Sequence, residues 1–234
     1  MTGWGTTMGK YSRVYSWEGR MTTPRRGDRW VTCLGVDPGV LNTGYALVRL
    51  AVEDLRRLPR TELHAHAEVL RCGVIRTPPG PKRKASKAQD RADRMTETIR
   101  RLMVVVNEAG GVDLVAAETF QVMPLRRQQR RGGTSKGALG ITNAGIQSLA
   151  VFGAMVGLAA ACSLPFMPVH PSTAKAVVMG RASTSKAALY EAALPKLMPA
   201  ADMAWPRSRN EHVGDSYAVG LAGLDAYRQT WLLR

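Results

Sequence analysis

Two apolar runs flank an Asp-Pro-Gly turn in the stretch Val31-Thr-Cys-Leu-Gly-Val-Asp37-Pro-Gly39-Val-Leu-Asn-Thr43-Gly-Tyr-Ala-Leu-Val-Arg-Leu50. The first run is short and apolar, which favours a buried strand. The Asp-Pro-Gly segment is typical of a turn, because proline fixes its own φ and glycine tolerates a positive φ. Thr43–Leu50 predicts a second strand. The stretch therefore predicts a β-hairpin with Asp37 at the end of its first strand.

Further segments with strand or helix patterns follow this hairpin. A third strand is predicted at Val69–Arg76, whereas residues 51–65 are charged and predict a loop. The later elements are a helix over 86–107, a strand at Asp113–Glu118, a helix at Asn143–Ala161, a strand at Pro165–Val169, and helices over 172–179, 184–194 and 211–227. This order predicts an α/β fold. Its mixed five-stranded sheet has an antiparallel hairpin plus a third strand, then parallel strands, with helices on both faces.

The length and the charge describe one basic globular domain. The 234 residues are enough for a single hydrophobic core. We predict a basic arm over 1–30, a folded domain over 31–228 and a tail over 229–234. The 33 Lys and Arg against 18 Asp and Glu give a formal charge of +15. Such a charge favours a polyanionic partner, with nucleic acid as the first candidate.

Cysteine usage and hydropathy indicate the compartment. The three cysteines are widely spaced and form no CxxC pair, so neither a disulfide framework nor a zinc knuckle is expected. The longest apolar run, Leu149–Cys162, is too short to span a bilayer. No apolar leader is visible near the first residue. We therefore expect a cytoplasmic protein without a membrane partner.

Four polar residues stand out against this apolar framework. Asp37 and Glu118 each end a predicted buried strand, where a carboxylate is costly unless it is paired or binds a metal. Taken singly, each can also serve as a turn or cap residue. His212 and Asp215 are three residues apart, so they share one face of a predicted helix. Glu211 precedes them and fits better as a solvated acid of the first helical turn.

Together these residues predict a metal centre. Adjacent central strands bring Asp37 and Glu118 close, and clustered carboxylates repel one another unless a divalent cation neutralises them. Hard oxygen ligands suit Mg²⁺, for which Mn²⁺ can substitute. Two such ions can hold both oxygens of an in-line phosphoryl displacement. We predict two ions held by Asp37, Glu118 and Asp215, with His212 as a ligand or as the residue that positions the attacking water.

The distribution of charge places a polyanion beside this centre. Residues 119–190 contain no Asp or Glu. The same stretch carries eight cations: Arg126, Arg127, Arg130, Arg131, Lys136, Lys175, Arg181 and Lys186. Cations of this kind contact phosphates and fix position without reading sequence. The alternative, a solvated basic surface, fits less well with the complete lack of acids.

These residues resemble the motifs of the RuvC family of Holliday junction resolvases, in the ribonuclease H-like superfamily. Leu34-Gly-Val-Asp37-Pro-Gly39 followed by Thr43-Gly44-Tyr45 resembles the first-strand motif of that family, and Ala116–Phe120 resembles its second acidic motif. His212-x-x-Asp215-Ser-Tyr-Ala resembles its C-terminal motif. Lys175-Ala-Val-Val-Met-Gly180, with Lys186 after it, resembles the segment whose two lysines lie near the scissile phosphate. The resemblance covers residues 31–226.

The resemblance implies a homodimer that uses Mg²⁺ or Mn²⁺ to make paired nicks across four-way and other branched DNA. It also implies a bacterial protein, or a phage protein in the host cytoplasm, with a branch-migration helicase as a possible partner. Some relatives stack an aromatic on the opened junction three residues past the glutamate. Here Gln121 holds that place and Phe120 is the neighbouring candidate for a DNA contact. The basic segment around residues 126–140 is longer than the family pattern and favours a wider range of branched substrates.

Three other functions remain open from the sequence. One is a related nuclease with another substrate, such as an RNase of the YqgF type. Another is a junction-binding module without catalysis, which predicts salt-dependent binding and no nicking. The last is an actin-like ATPase domain, which needs a second phosphate-binding hairpin that the sequence does not show.

Overall fold

The computed structural model of the protein describes residues 30–39, 41–77, 87–119, 143–200 and 211–232. They form one five-stranded sheet with helices packed on both faces. The strands are β1 (Trp30–Asp37), β2 (Asn42–Ala51), β3 (Glu68–Arg76), β4 (Leu114–Glu118) and β5 (Phe166–Val169). The longer helices are α1 (Val52–Arg57), α2 (Leu63–His66), α3 (Lys87–Glu108), α4 (Asn143–Ala161), α5 (Pro171–Met179), α6 (Lys186–Leu197) and α7 (Glu211–Tyr227).

The strands lie in the order β3-β2-β1-β4-β5, as a mixed sheet. β2 runs antiparallel to both β1 and β3, and the hairpin register places Asp37 opposite Gly44. β1 and β4 are parallel, and so are β4 and β5. The predicted sheet, with its hairpin, third strand and two parallel strands, is confirmed.

The sheet separates two hydrophobic layers. Successive side chains of a strand point to opposite faces. Val31 and Cys33 of β1 therefore pack with α1, α2, α5, α6 and α7, which we call the α7 layer. Leu34 and Val36 of β1 pack on the other face with α3 and α4, which we call the α4 layer. The prediction of helices on both faces is confirmed.

Helix α7 is enclosed by the protein. Every residue of α7 from Val213 to Asp225 is buried, because the helix packs on the sheet with one side and on α5 and α6 with the other. Residues Arg228–Leu232 continue it as a wider, π-helical turn. The predicted boundary at residue 229 falls inside this turn.

The small and apolar residues of helix α4 favour a helix that is buried on all sides, but only one of its faces is buried in the structure. Val151, Met155 and Leu158 are buried against the sheet. Leu149 and Val156 are 51% and 40% exposed on the opposite face. The many Ala and Gly residues of α4 make its two faces chemically alike, so the sequence did not distinguish the buried face from the open one.

The prediction of a loop over residues 51–65 is wrong. That segment contains α1, a 3-10 turn at Arg60–Glu62 and α2. Val52, Leu55 and Leu63 are buried in the α7 layer between charged residues that face outward. Arg228 anchors the segment by donating hydrogen bonds to the carbonyls of Leu55 and Leu58. The apolar residues of this segment are too widely spaced among its charges to predict these short helices.

Two predictions about the whole chain can be compared with the described residues. The three cysteines are buried and none of them forms a disulfide. Among the described helices, none combines the length and the hydropathy that a membrane crossing requires.

Candidate active site

The alternation of side chains along two parallel strands places two carboxylates together. Val36 of β1 is in register with Ala117 of β4, so Asp37 and Glu118 follow as neighbours at the carboxyl ends of both strands. Asp37 continues the face of Val31 and Cys33, and Glu118 continues the face of Leu114 and Ala116. Both acids therefore lie on the side of the sheet that α7 covers.

The first two turns of α7 bring the other two predicted residues to the same corner. Nδ1 of His212 lies 2.6 Å from Oδ2 of Asp37, across 175 positions of sequence. Asp215 lies one turn further along α7, and its side chain is only 8% exposed. The four residues that were predicted as a metal centre therefore converge in one place.

Glycines allow α7 to approach the sheet at this corner. A Cβ at Gly44, the partner of Asp37 in β2, would overlap the backbone carbonyl of His212. A Cβ at Gly35 would overlap the carbonyl of Ser216 and lie 2.5 Å from the amide nitrogen of Gly220. Such separations are too short for real Cβ atoms, so any side chain at these positions would push α7 away. The distance between His212 and Asp37 thus depends on Gly35 and Gly44.

Gly35 and Gly44 belong to the hairpin motif, and the motif alone does not predict this role. The available signal was a glycine inside each strand, since glycine within a strand often marks a close approach of another backbone. Thr43, beside Gly44, donates a hydrogen bond of 2.7 Å to the carbonyl of Gly39. That bond fixes the turn directly after Asp37.

Two lysines reach the site from α5 and α6. Lys186 is the first residue of α6, whose N-cap Ser185 accepts a hydrogen bond from the amide of Ala188. Its Nζ lies 2.6 Å from Oδ2 of Asp215. Lys175 of α5 is close enough to Glu118 to stabilise its charged form. Both lysines that were predicted as phosphate contacts therefore border the carboxylates.

The carboxylates perturb one another electrostatically. Burial, together with the negative charges of Asp37 and Asp215, raises the pKa of Glu118 to about 7, against the opposing effect of the lysines. Burial also raises the pKa of Asp215, against the opposing contact with Lys186. The hydrogen bond to Asp37 raises the pKa of His212, although burial acts in the opposite direction. Three carboxylates therefore share a partly buried corner with two lysines and one imidazole.

The donor atoms fit a hard divalent cation, although they are not assembled around a common point. Three carboxylates and one imidazole are the ligand types that Mg²⁺ and Mn²⁺ accept. Within the described ranges, no three His, Cys, Asp or Glu side chains form a ready metal-binding group. Instead, Asp215 is directed at Lys186, and Asp37 is directed at His212.

The remaining predicted residues are either exposed or lie outside the described part of the chain. Glu211 is exposed at the start of α7, which agrees with the prediction of a solvated acid in the first helical turn. Arg181 is also exposed, after the end of α5. Six predicted DNA contacts lie outside the described residues: Phe120, Arg126, Arg127, Arg130, Arg131 and Lys136.

Comparison with known proteins gives similarity in structure but not in sequence. No protein-family model matches the chain, and no curated protein matches it. A structure of RuvC from Thermus thermophilus superposes with a TM-score of 0.53 at 21% identity, over 86% of this chain and 98% of the other. A structure of T. thermophilus RuvC in complex with Holliday junction substrate superposes with a TM-score of 0.54 at 17% identity. That superposition covers 86% of this chain and 96% of the other. The chain therefore has the ribonuclease H-like fold of these RuvC structures, as its motifs predicted.

Proposed function

We propose that the protein is a structure-selective DNA endonuclease that resolves Holliday junctions by paired, symmetric nicks. The observation that carries the proposal is the convergence of Asp37 and Glu118, at the ends of adjacent parallel strands, with His212 and Asp215 of α7. The shared fold supports it, since one of the similar structures is a RuvC complex with Holliday junction substrate. The formal charge of +15 supports a nucleic-acid partner.

The carboxylates of Asp37, Glu118 and Asp215 would hold two Mg²⁺ or Mn²⁺ ions, with His212 as a further ligand or as the residue that positions water. When bound, the ions supply the acidity that activates a water molecule and the positive charge that stabilises the leaving 3′ oxygen. The raised pKa of Glu118 supports this assignment, because burial and the charges of Asp37 and Asp215 disfavour its charged form, and a bound cation would offset both effects.

The protein side chains have separate tasks in this proposal. His212 orients the carboxylate of Asp37 through its 2.6 Å hydrogen bond. Lys175 and Lys186 contact the scissile or a flanking phosphate, which positions the strand for attack. The tight packing of α7 keeps these groups within the small tolerance that catalysis demands.

The arrangement of two nicks implies two active sites. A twofold homodimer matches the twofold symmetry of a four-way junction, so each subunit would cut one of two opposite strands. The basic residues from Arg126 to Lys136 would contact the arms, and a branch-migration helicase is a candidate partner. The expected products carry a 5′ phosphate and a 3′ hydroxyl, which a ligase can seal.

The decisive experiment uses the purified protein and an immobile four-way junction. Each strand is end-labelled in turn, with linear duplex of the same sequence as the control, in Mg²⁺ and in EDTA. We expect Mg²⁺-dependent nicks at symmetric positions in opposite strands, with the duplex left intact. Binding without nicks in both Mg²⁺ and Mn²⁺ would refute the catalytic proposal and leave a junction-binding module.

A second candidate is cleavage of other branched DNA, or of RNA. The observations that favour it are Gln121 at the place of the stacking aromatic and the long basic segment over 126–140. Flaps, forks and a matched RNA junction belong in the same assay. Faster cleavage of any of these than of the four-way junction would select this second function.

A further inference from the structure

The ion pair between Lys186 and Asp215 joins groups of very different exposure. The side chain of Asp215 is 8% exposed, whereas that of Lys186 is 53% exposed. The carboxylate is therefore fixed within the protein, and the ammonium reaches it from the solvent side at 2.6 Å. Lysine carries a compact charge on a flexible stem, so it can leave without any rearrangement of the backbone.

The same carboxylate is a proposed ligand for a divalent cation. Oδ2 of Asp215 is already in contact with the ammonium at 2.6 Å, so a metal ion on the same oxygen would lie close to a second positive charge. Two positive charges on one carboxylate repel each other strongly in a partly buried site. Lys186 and a metal ion therefore compete for Asp215.

The other aspartate of the site is held differently. Asp37 contacts His212, and histidine is a common metal ligand. Both side chains of this pair can therefore bind the same metal ion. An ammonium has three donor hydrogens and no acceptor, so it cannot ligate a metal. Among the polar contacts of the described site, the pair of Lys186 and Asp215 is therefore the one that a metal ion on the same oxygen would displace.

We propose that Lys186 holds the carboxylate of Asp215 in the metal-free protein and is displaced from it when a divalent cation binds. The inference rests on the proposed metal-dependent function and deepens it. In the metal-free state, Lys186 neutralises a buried carboxylate that would otherwise lie without a partner. After displacement, the ammonium of Lys186 lies beside the site, where it can donate a hydrogen bond to a DNA phosphate.

Calorimetric titration of the DNA-free full chain with Mn²⁺ tests this competition. We expect Lys186→Met to bind Mn²⁺ about tenfold more tightly than the unchanged protein, because the competing charge is gone. Lys186→Arg keeps a cation at that position and should bind no more tightly than the unchanged protein. The titration is run at mildly alkaline pH, where protons compete least for the carboxylates.

Lys175→Met is the matched control. It removes one positive charge from the same site, and no ion pair between Lys175 and an acid is seen among the described residues. We expect its affinity for Mn²⁺ to change less than about threefold. Equal tightening by Lys175→Met and Lys186→Met would reduce the effect to general electrostatics and overturn the proposal, and so would an unchanged affinity of Lys186→Met.

Thermal unfolding gives a second reading that does not depend on activity. Without metal, Lys186→Met should unfold at a lower temperature than the unchanged protein, because Asp215 loses its partner. Saturating Mn²⁺ should then raise the unfolding temperature of the variant by more than that of the unchanged protein. A metal-free variant as stable as the unchanged protein would contradict the inference. Failure of the unchanged protein to bind Mn²⁺ at all would instead refute the metal-dependent function.

Discussion

Helices α7 and α4 both contain glycines, and the two sets meet opposite surroundings. On α7, a Cβ at Gly220 would lie 2.9 Å from Cγ2 of Val48, and one at Gly223 would lie 2.5 Å from Cβ of Ala116. On α4, a Cβ at Gly153 or Gly157 would meet no atom of the described residues within 4 Å. The same residue type therefore marks backbone contact in one helix and open space in the other.

The comparison shows where the fold tolerates change. The α7 layer is held at backbone contact with the sheet. The four residues of the proposed metal site lie on this side of the sheet. The α4 layer closes the other face with larger side chains and leaves Leu149 and Val156 exposed. The packing of α7 therefore fixes the position of the helix on the face of the sheet that carries the proposed active site.

The largest effect is expected for Gly35→Ala. The new methyl group would overlap the carbonyl of Ser216, so α7 must move or the strand must distort. Overpacking of this kind costs about 3 kcal/mol or more of the free energy of unfolding. Urea denaturation measures it. A loss below about 0.5 kcal/mol would show that α7 is not held at backbone contact, and the contrast with α4 would fail.

The next effect concerns chemistry rather than position. Asp37→Asn keeps the size of the side chain and removes a proposed metal ligand. The rate of junction cleavage should therefore fall more than a hundredfold, which corresponds to an increase of about 2.7 kcal/mol in the activation free energy. Binding of the junction should persist, because phosphate contacts remain. Single-turnover nicking and gel mobility shift measure the two quantities.

Glu211→Gln is the matched control for that variant. Glu211 is an exposed acid on the same helix, next to His212, and its loss should leave cleavage within about threefold of the unchanged protein. Full nicking by Asp37→Asn would remove Asp37 from the site.

A smaller and opposite effect is expected in the α4 layer. Gly157→Ala replaces a glycine inside a helix and adds a methyl group where none of the described parts of the chain lies within 4 Å. We expect the free energy of unfolding to increase, by up to about 1 kcal/mol. The same urea experiment measures it. A decrease would show that the open face of α4 is covered in solution, for example by a second subunit.

The smallest effect is a dependence of stability on pH. Nδ1 of His64 lies 2.8 Å from the hydroxyl of Tyr217 of α7, and burial together with Lys196 lowers the pKa of His64 below its ordinary 6.5. Because the unfolded chain binds the proton more readily, this contribution is complete above pH 6.5 and decreases as the pH falls through the folded-state pKa.

His64→Gln should therefore flatten the decrease in stability between neutral and mildly acidic pH. Glutamine can still hydrogen-bond to Tyr217 but does not titrate in this range. Unfolding curves across that interval give the slope. Equal slopes for the variant and the unchanged protein would exclude His64 as the source.

The sequence was sufficient to predict the sheet and the proximity of the four proposed site residues, because both depend on strong local patterns. Apolar runs that end in Asp37 and Glu118 predict strands whose carboxyl ends meet, and the spacing of His212 and Asp215 predicts one helix face. The packing of α7 was not predictable, because contact at Gly35 and Gly44 depends on a helix far along the chain. The ion pair between Lys186 and Asp215 was not predicted either. The sequence assigned Lys186 to a phosphate and Asp215 to a metal ion, and gave no sign that the two side chains contact each other.

The position of α7 in the chain has a consequence for synthesis. Strands β1, β2 and β3 pair with close neighbours in sequence and can form as soon as they leave the ribosome. Asp37 must then wait for His212, 175 residues later, which at ordinary translation rates takes roughly 10 to 35 seconds. Fragments from interrupted translation that lack α7 carry neither His212 nor Asp215 and leave the glycine-lined face of the sheet uncovered. Only chains that include α7 can therefore carry the activity that is proposed for this protein.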